Sequence, residues 1–78
     1  MRQRNGRKRV AHNGILYPEV HVVLTGTDGN ALAIVGKVRR ALEHNGVHDD
    51  VCEVFVREAL SGDYDNVLQT AMRWVTVS

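Results

Sequence analysis

Glu19-Val20-His21-Val22-Val23-Leu24-Thr25, followed at once by Gly26-Thr27-Asp28-Gly29-Asn30, decides the fold. The first seven residues alternate as a strand does. Val20, Val22 and Leu24 share one face, and His21, Val23 and Thr25 share the other. Val23 makes the second face half apolar, so partial cover on both faces is expected. The next five residues read as a turn. Two glycines allow positive φ, and Asp28 can bond the neighbouring backbone.

Working downstream, Asn30 to Asn45 carries helical spacing. Ala31, Ile34, Val35, Val38, Ala41 and Leu42 form one apolar stripe, with Asn30 or Asp28 as the cap. Gly36 is costly in mid-helix, and close approach of another backbone would explain it. Asn45-Gly46 is a stop signal. A second helix is expected over Asp49–Leu60, with Asp49, Asp50 and Glu53 near its positive end and Val51, Val54, Phe55, Ala59 and Leu60 buried. Ser61-Gly62 ends it. A third helix starts with Asp63 as cap and ends near Trp74. Its inner stripe is Tyr64, Val67, Leu68, Ala71, Met72 and Val75. Val75-Thr76-Val77 alternates and is β-branched, so it reads as a short strand. Pairing it with residues 19–25 closes a β-α-α-α-β unit of the α+β class, a small two-stranded sheet covered by helices. Two strands make a weak sheet unless helices cover it or a dimer extends it.

Upstream, residues 1–14 lack apolar periodicity and read as a disordered basic segment; residues 15–78 form one compact domain. Tyr17 is held out of helical geometry by Pro18. The charge is split. Arg2, Arg4, Arg7, Lys8 and Arg9 give the segment +5, whereas Lys37, Arg39, Arg40, Arg57 and Arg73 against nine acids leave the body at −4. Such a layout suits a polyanion, or folding back on the acidic body. A chain of 78 residues allows one domain, usually of marginal stability alone. Cys52 is the only cysteine, which excludes an internal disulfide and favours a reducing, cytoplasmic setting. No apolar run reaches the ~20 residues of a membrane span. A homo-oligomer or a protein partner is therefore the expected source of further support.

Val22-Val23-Leu24-Thr25-Gly26, Asp28-Gly29-Asn30-Ala31, Ser61-Gly62-Asp63-Tyr64-Asp65, Leu68-Gln69-Thr70 and Trp74-Val75 together resemble a family of small uncharacterised proteins of actinobacteria and their phages. The likeness spans residues 17–77. It implies a compact cytoplasmic domain of the kind mobile elements carry, and it brings no activity, cofactor or site residues.

The candidate chemistry is thin. The Gly26–Asn30 turn lacks a Gly-Lys-Ser/Thr ending, and Asp28 would repel phosphate, so turn and cap explain it. His44, His48 and Cys52 recur every four residues and could ligate zinc, but Asn45-Gly46 interrupts the helix they would need. As a nucleophile, Cys52 is surrounded by Asp49, Asp50 and Glu53, which raise a thiol pKa. Asp63-x-Asp65-Asn66 opens like a calcium loop, yet the twelfth residue is Trp74 rather than Glu. His21 beside valines reads as an edge residue. No cofactor, metal or enzymatic activity is expected. The leading expectation is a non-enzymatic protein-binding or self-associating module, a phage or mobile-element accessory protein. Trp74, Val75 and Val77 are its candidate interface, although Trp74 also suits the core. The alternative is a sequence-tolerant nucleic-acid binder using Arg2, Arg4, Arg7, Lys8 and Arg9, extended by Lys37, Arg39 and Arg40.

Overall fold

A computed structural model describes residues 14–25 and 29–78. The order is β1 (Tyr17–Val22), α1 (Ala31–His44), α2 (Asp49–Ala59), α3 (Tyr64–Trp74) and β2 (Val75–Val77), which is the expected β-α-α-α-β unit of the α+β class. All of the basic segment 1–14 except Gly14, and the Asp28 cap, lie outside the described residues.

The two strands pair in parallel, with Tyr17 opposite Val75, His21 opposite Thr76 and Val22 opposite Val77. Three helical crossings return the chain to the end of β1 where it began, so Leu16 N–H donates to the Arg73 carbonyl at 2.9 Å. The ladder is irregular between Tyr17 and His21. Pro18 lies there and has no N–H to give it. Instead, the Thr76 hydroxyl donates to the Pro18 carbonyl at 2.8 Å. The strand therefore starts two residues before the expected Glu19. Its pairing continues past Val22, because Ser78 N–H donates to the Val22 carbonyl at 3.0 Å and Leu24 N–H to the Ser78 carbonyl at 2.8 Å.

Local chemistry sets each helix boundary. The Asn30 side chain accepts from Leu32 N–H at 2.8 Å and Ala33 N–H at 3.3 Å, so it caps α1. At the other end Gly46 stands at φ 83°. Gly46 N–H donates to the Glu43 carbonyl and Val47 N–H to the Leu42 carbonyl, both at 3.0 Å. This is a Schellman closure, and glycine bears its left-handed residue without strain. The cap of α2 is His48, whose Nδ1 accepts from Asp50 N–H at 3.2 Å. Asp63 caps α3 by accepting from Asn66 N–H at 3.0 Å. Asn66 then donates to the carbonyls of Glu58 at 2.9 Å and Ala59 at 3.1 Å, tying the end of α2 to the start of α3. This joint explains Gly62, because a Cβ there would meet the Asn66 Cβ at 3.0 Å.

The core lies between the helices and one sheet face. Val20 and Val22 project into it, with Ile34, Val35, Val38 and Leu42 from α1, Cys52, Phe55 and Ala59 from α2, and Val67, Ala71 and Trp74 from α3. Trp74 stacks on Tyr17 with ring centroids 6.0 Å apart and meets Phe55 edge-on at 5.5 Å. Pairs of this kind add about 0.5–1.5 kcal/mol beyond area burial.

Four expectations are corrected. Val54 and Leu60 are exposed, because α2 turns the arc of Cys52, Phe55 and Ala59 inward. Tyr64 and Met72 are exposed likewise, because α3 buries Val67, Thr70, Ala71 and Trp74. A Cβ on Gly36 would touch only the Arg40 Nη1, at 3.5 Å, so no second backbone approaches there. Val23 is 54% exposed, so the described residues do not give this position the partial cover expected of it.

Candidate interface at the outer edge of the first strand

Parallel sheets are ordinarily covered on both faces. Here Val20 and Val22 are buried, whereas Glu19, His21 and Val23 on the opposite face are exposed. Each strand has one neighbour, so each has one outer edge without a strand among the described residues.

The hydrogen bonds show which backbone groups that edge presents. The Val22 carbonyl and the Leu24 N–H both turn toward Ser78. The Pro18 carbonyl also turns toward β2, through Thr76. Successive residues of a strand aim their backbone groups at opposite edges. Residues 20, 22 and 24 therefore serve the β1–β2 ladder, and His21 and Val23, beyond the irregular stretch, direct N–H and C=O outward. β2 is only three residues long and presents a shorter edge.

A second apolar surface lies around the helix starts. Leu32 is 66% exposed, the highest value among the large apolar residues described, and Tyr64 is 44% exposed. The two helix starts are neighbours, because a Cβ on Gly29 would lie 4.0 Å from the Tyr64 hydroxyl.

The interface residues read from the sequence lie elsewhere. Trp74 is 4% and Val75 0% exposed, so both are held inside the chain's own core. Trp74 is fixed further by its indole N–H, which donates to the Glu58 carboxylate at 2.8 Å. Val77 is partly buried against the core. The outer edge of β1 carried a signal in the alternation of residues 19–25, but that pattern cannot say which backbone groups are already paired.

Of the nucleic-acid set, Arg2, Arg4, Arg7, Lys8 and Arg9 fall outside the described residues. Lys37, Arg39 and Arg40 lie on α1, and they are not equivalent. Arg39 bonds Glu43 at 3.1 Å and Glu53 at 2.9 Å. The Glu43 hydrogen bond, with help from Glu53, raises the guanidinium pKa. Two carboxylates thus offset the charge this residue was expected to add to a basic surface. Arg40 is exposed.

His44, His48 and Cys52 do not converge. His44 is exposed at the last turn of α1, His48 uses Nδ1 as the cap, and Cys52 is fully buried. The Cys52 thiol donates to the Val47 carbonyl at 3.7 Å. Burial pushes its pKa up, and Glu43, Asp49 and Glu53 push the same way against Arg39. A buried thiol held protonated is a poor nucleophile and a poor ligand. Among the described residues, no three His, Cys, Asp or Glu side chains are grouped to hold a metal. Asp63 and Asp65 sit at the start of α3, where Asp63 caps the helix. No described helix is long and apolar enough to cross a membrane.

The fold and the edge define a small α+β domain with an open parallel strand pair. Set against family models, curated proteins and solved structures, the chain matches none.

Proposed function

We propose that this protein is a non-enzymatic self-associating module that joins copies, or binds a protein partner, through strand pairing. The observation that carries this reading is the outer edge of β1. Donors and acceptors of His21 and Val23 face outward on a strand whose outer side chains are also exposed. Open edges template pairing with another chain, and proteins that remain monomeric usually blunt them. Helices already cover one face of this two-stranded sheet, and a further strand would add ladder bonds along the open edge. The test is thermal melting over a hundredfold range of protein concentration. Self-association stabilises the folded state by mass action, so Tm rises with concentration. A Tm independent of concentration would end self-association and leave only a different protein partner for the edge.

A second reading draws on five cations in the first nine residues. They support sequence-tolerant nucleic-acid binding, with a log–log salt slope near about −4.5 on duplex DNA. Binding that disappears when residues 1–9 are deleted supports it. Salt-independent binding, or binding unchanged by the deletion, refutes it.

A further inference from the structure

We infer that Asn45-Gly46 is a site of spontaneous deamidation, and that the closure at the end of α1 holds it shut while the chain is folded. The site is independent of the β1 edge.

The sequence supplies the reactive pair. Once hydroxide has taken its proton, the Gly46 nitrogen attacks Cγ of the Asn45 side chain. An N–Cγ bond forms, the Cγ–Nδ2 bond breaks, and ammonia leaves with a proton taken from water. Water then opens the cyclic imide at either carbonyl, giving aspartate or isoaspartate. The sum is amide plus water to acid plus ammonia, with no redox change. Gly46 has no Cβ to obstruct the attack. Both residues are exposed, so hydroxide and water reach them.

The fold withdraws both reacting atoms. Asn45 stands at φ −96°, ψ 13°, carrying on the helical turn. Its Nδ2 donates back to the Ala41 carbonyl at 2.8 Å, so Cγ is drawn toward the preceding turn and away from Gly46. The nucleophile is engaged as well. Gly46 N–H donates to the Glu43 carbonyl at 3.0 Å, which opposes loss of its proton. Val47 fixes the chain beyond it, through its N–H on the Leu42 carbonyl at 3.0 Å and its side chain against the core. Ring closure therefore needs the last turn of α1 to open first, and its rate follows the open fraction.

The reaction runs one way. An aspartate at position 45 has lost the donor to Ala41 and sets negative charge at the negative end of the α1 dipole. Isoaspartate adds a methylene to the main chain and breaks the spacing of the closure. Each product is therefore less stable than the parent.

Deamidation is followed on the full chain, folded in buffer and unfolded in guanidinium chloride, at one pH and temperature. Tryptic peptide 41–57 holds no other Asn or Gln, so its mass gain reports this site alone. The folded chain should react at least roughly tenfold more slowly than the unfolded chain. Equal rates would overturn the protection, and an unfolded chain that does not react would overturn the site. Val47→Ala trims the apolar contact that accompanies the closure. It should raise the folded rate roughly threefold relative to that variant's own unfolded rate, with a melting curve verifying that it folds. An unchanged ratio would overturn the closure as the lock. Asn45→Asp should melt below the wild type at neutral pH, and equal or higher melting would overturn the one-way loss of stability.

Discussion

The indole N–H of Trp74 donates to Oε1 of Glu58 at 2.8 Å, joining the end of α3 to α2 across the edge of the core. Trp74 is 4% exposed, so this bond holds the largest core side chain in one orientation between Tyr17 and Phe55. Replacing Glu58 by Ala removes the acceptor and should cost about 1–2 kcal/mol. Glu58→Gln keeps a carbonyl acceptor and should cost less. Urea unfolding followed by the single tryptophan, at one protein concentration, measures both; equal stability of all three proteins would show the bond to be idle.

Asp63 and Asn66 act as one joint. Asp63 accepts from the backbone of Asn66, whose side chain donates to two carbonyls at the end of α2. Asp63→Ala should cost about 1 kcal/mol as a lost cap. Asn66→Ala leaves the Glu58 and Ala59 carbonyls without that donor and should cost a similar amount. The two losses should not add fully, because Asp63 holds the Asn66 backbone and so helps to aim its side chain at the two carbonyls. A double-mutant cycle in urea measures the coupling, and strict additivity would show two independent contacts.

Gly36 offers a change in the other direction. It sits in the interior of α1, and a Cβ there meets only the Arg40 side chain, at an ordinary 3.5 Å. Gly36→Ala should therefore stabilise the protein by about 0.5–1 kcal/mol, through lower unfolded-state entropy and better helix propensity. For a chain this short that is a Tm rise of several degrees, roughly 4–8 °C per kcal/mol. A fall in Tm would mean that α1 needs the glycine for a packing reason.

Cys52 links stability to pH. Burial holds its pKa above the ordinary 9.0. The unfolded chain loses this proton first as pH rises, so it then binds fewer protons than the folded chain. The contribution is fully present below pH 9.0 and declines as pH climbs toward the folded value. Cys52→Ala should flatten that decline, whatever its cost in core packing. Urea midpoints from pH 8 to pH 10.5 give the comparison. The same burial should make the native thiol react far more slowly with Ellman's reagent than the thiol of the urea-unfolded chain.

The element order was legible because its signals are local. Asn30 and Asp63 precede helical spacing, Asn45-Gly46 closes it, and valine alternation marks both strands. Which residues face inward was less legible. In α3 the bulk of Tyr64, Leu68 and Met72 drew the expected stripe to one side, while the buried arc includes Thr70, a polar residue 0% exposed. Its hydroxyl accepts from Arg73 at 3.2 Å, which no periodicity announces. In α2 the small Cys52 is fully buried, whereas the larger Val54 lies about a quarter-turn from Phe55 and is exposed. His48 went unread as a cap because its ring nitrogen substitutes for the oxygen of the usual capping residues. The β1 edge could not be located in advance. It depends on Ser78 and Thr76 taking the inner groups of β1, a pairing made across the whole length of the domain.

The most direct measurement is sedimentation equilibrium of the full chain at micromolar concentration. A mass of twice 8.7 kDa, falling toward 8.7 kDa on dilution and in the Val23→Pro variant, is the expected result. Proline there removes an outward donor and leaves the β2 ladder its own bonds. A mass of 8.7 kDa at every concentration would contradict self-association through the edge of β1.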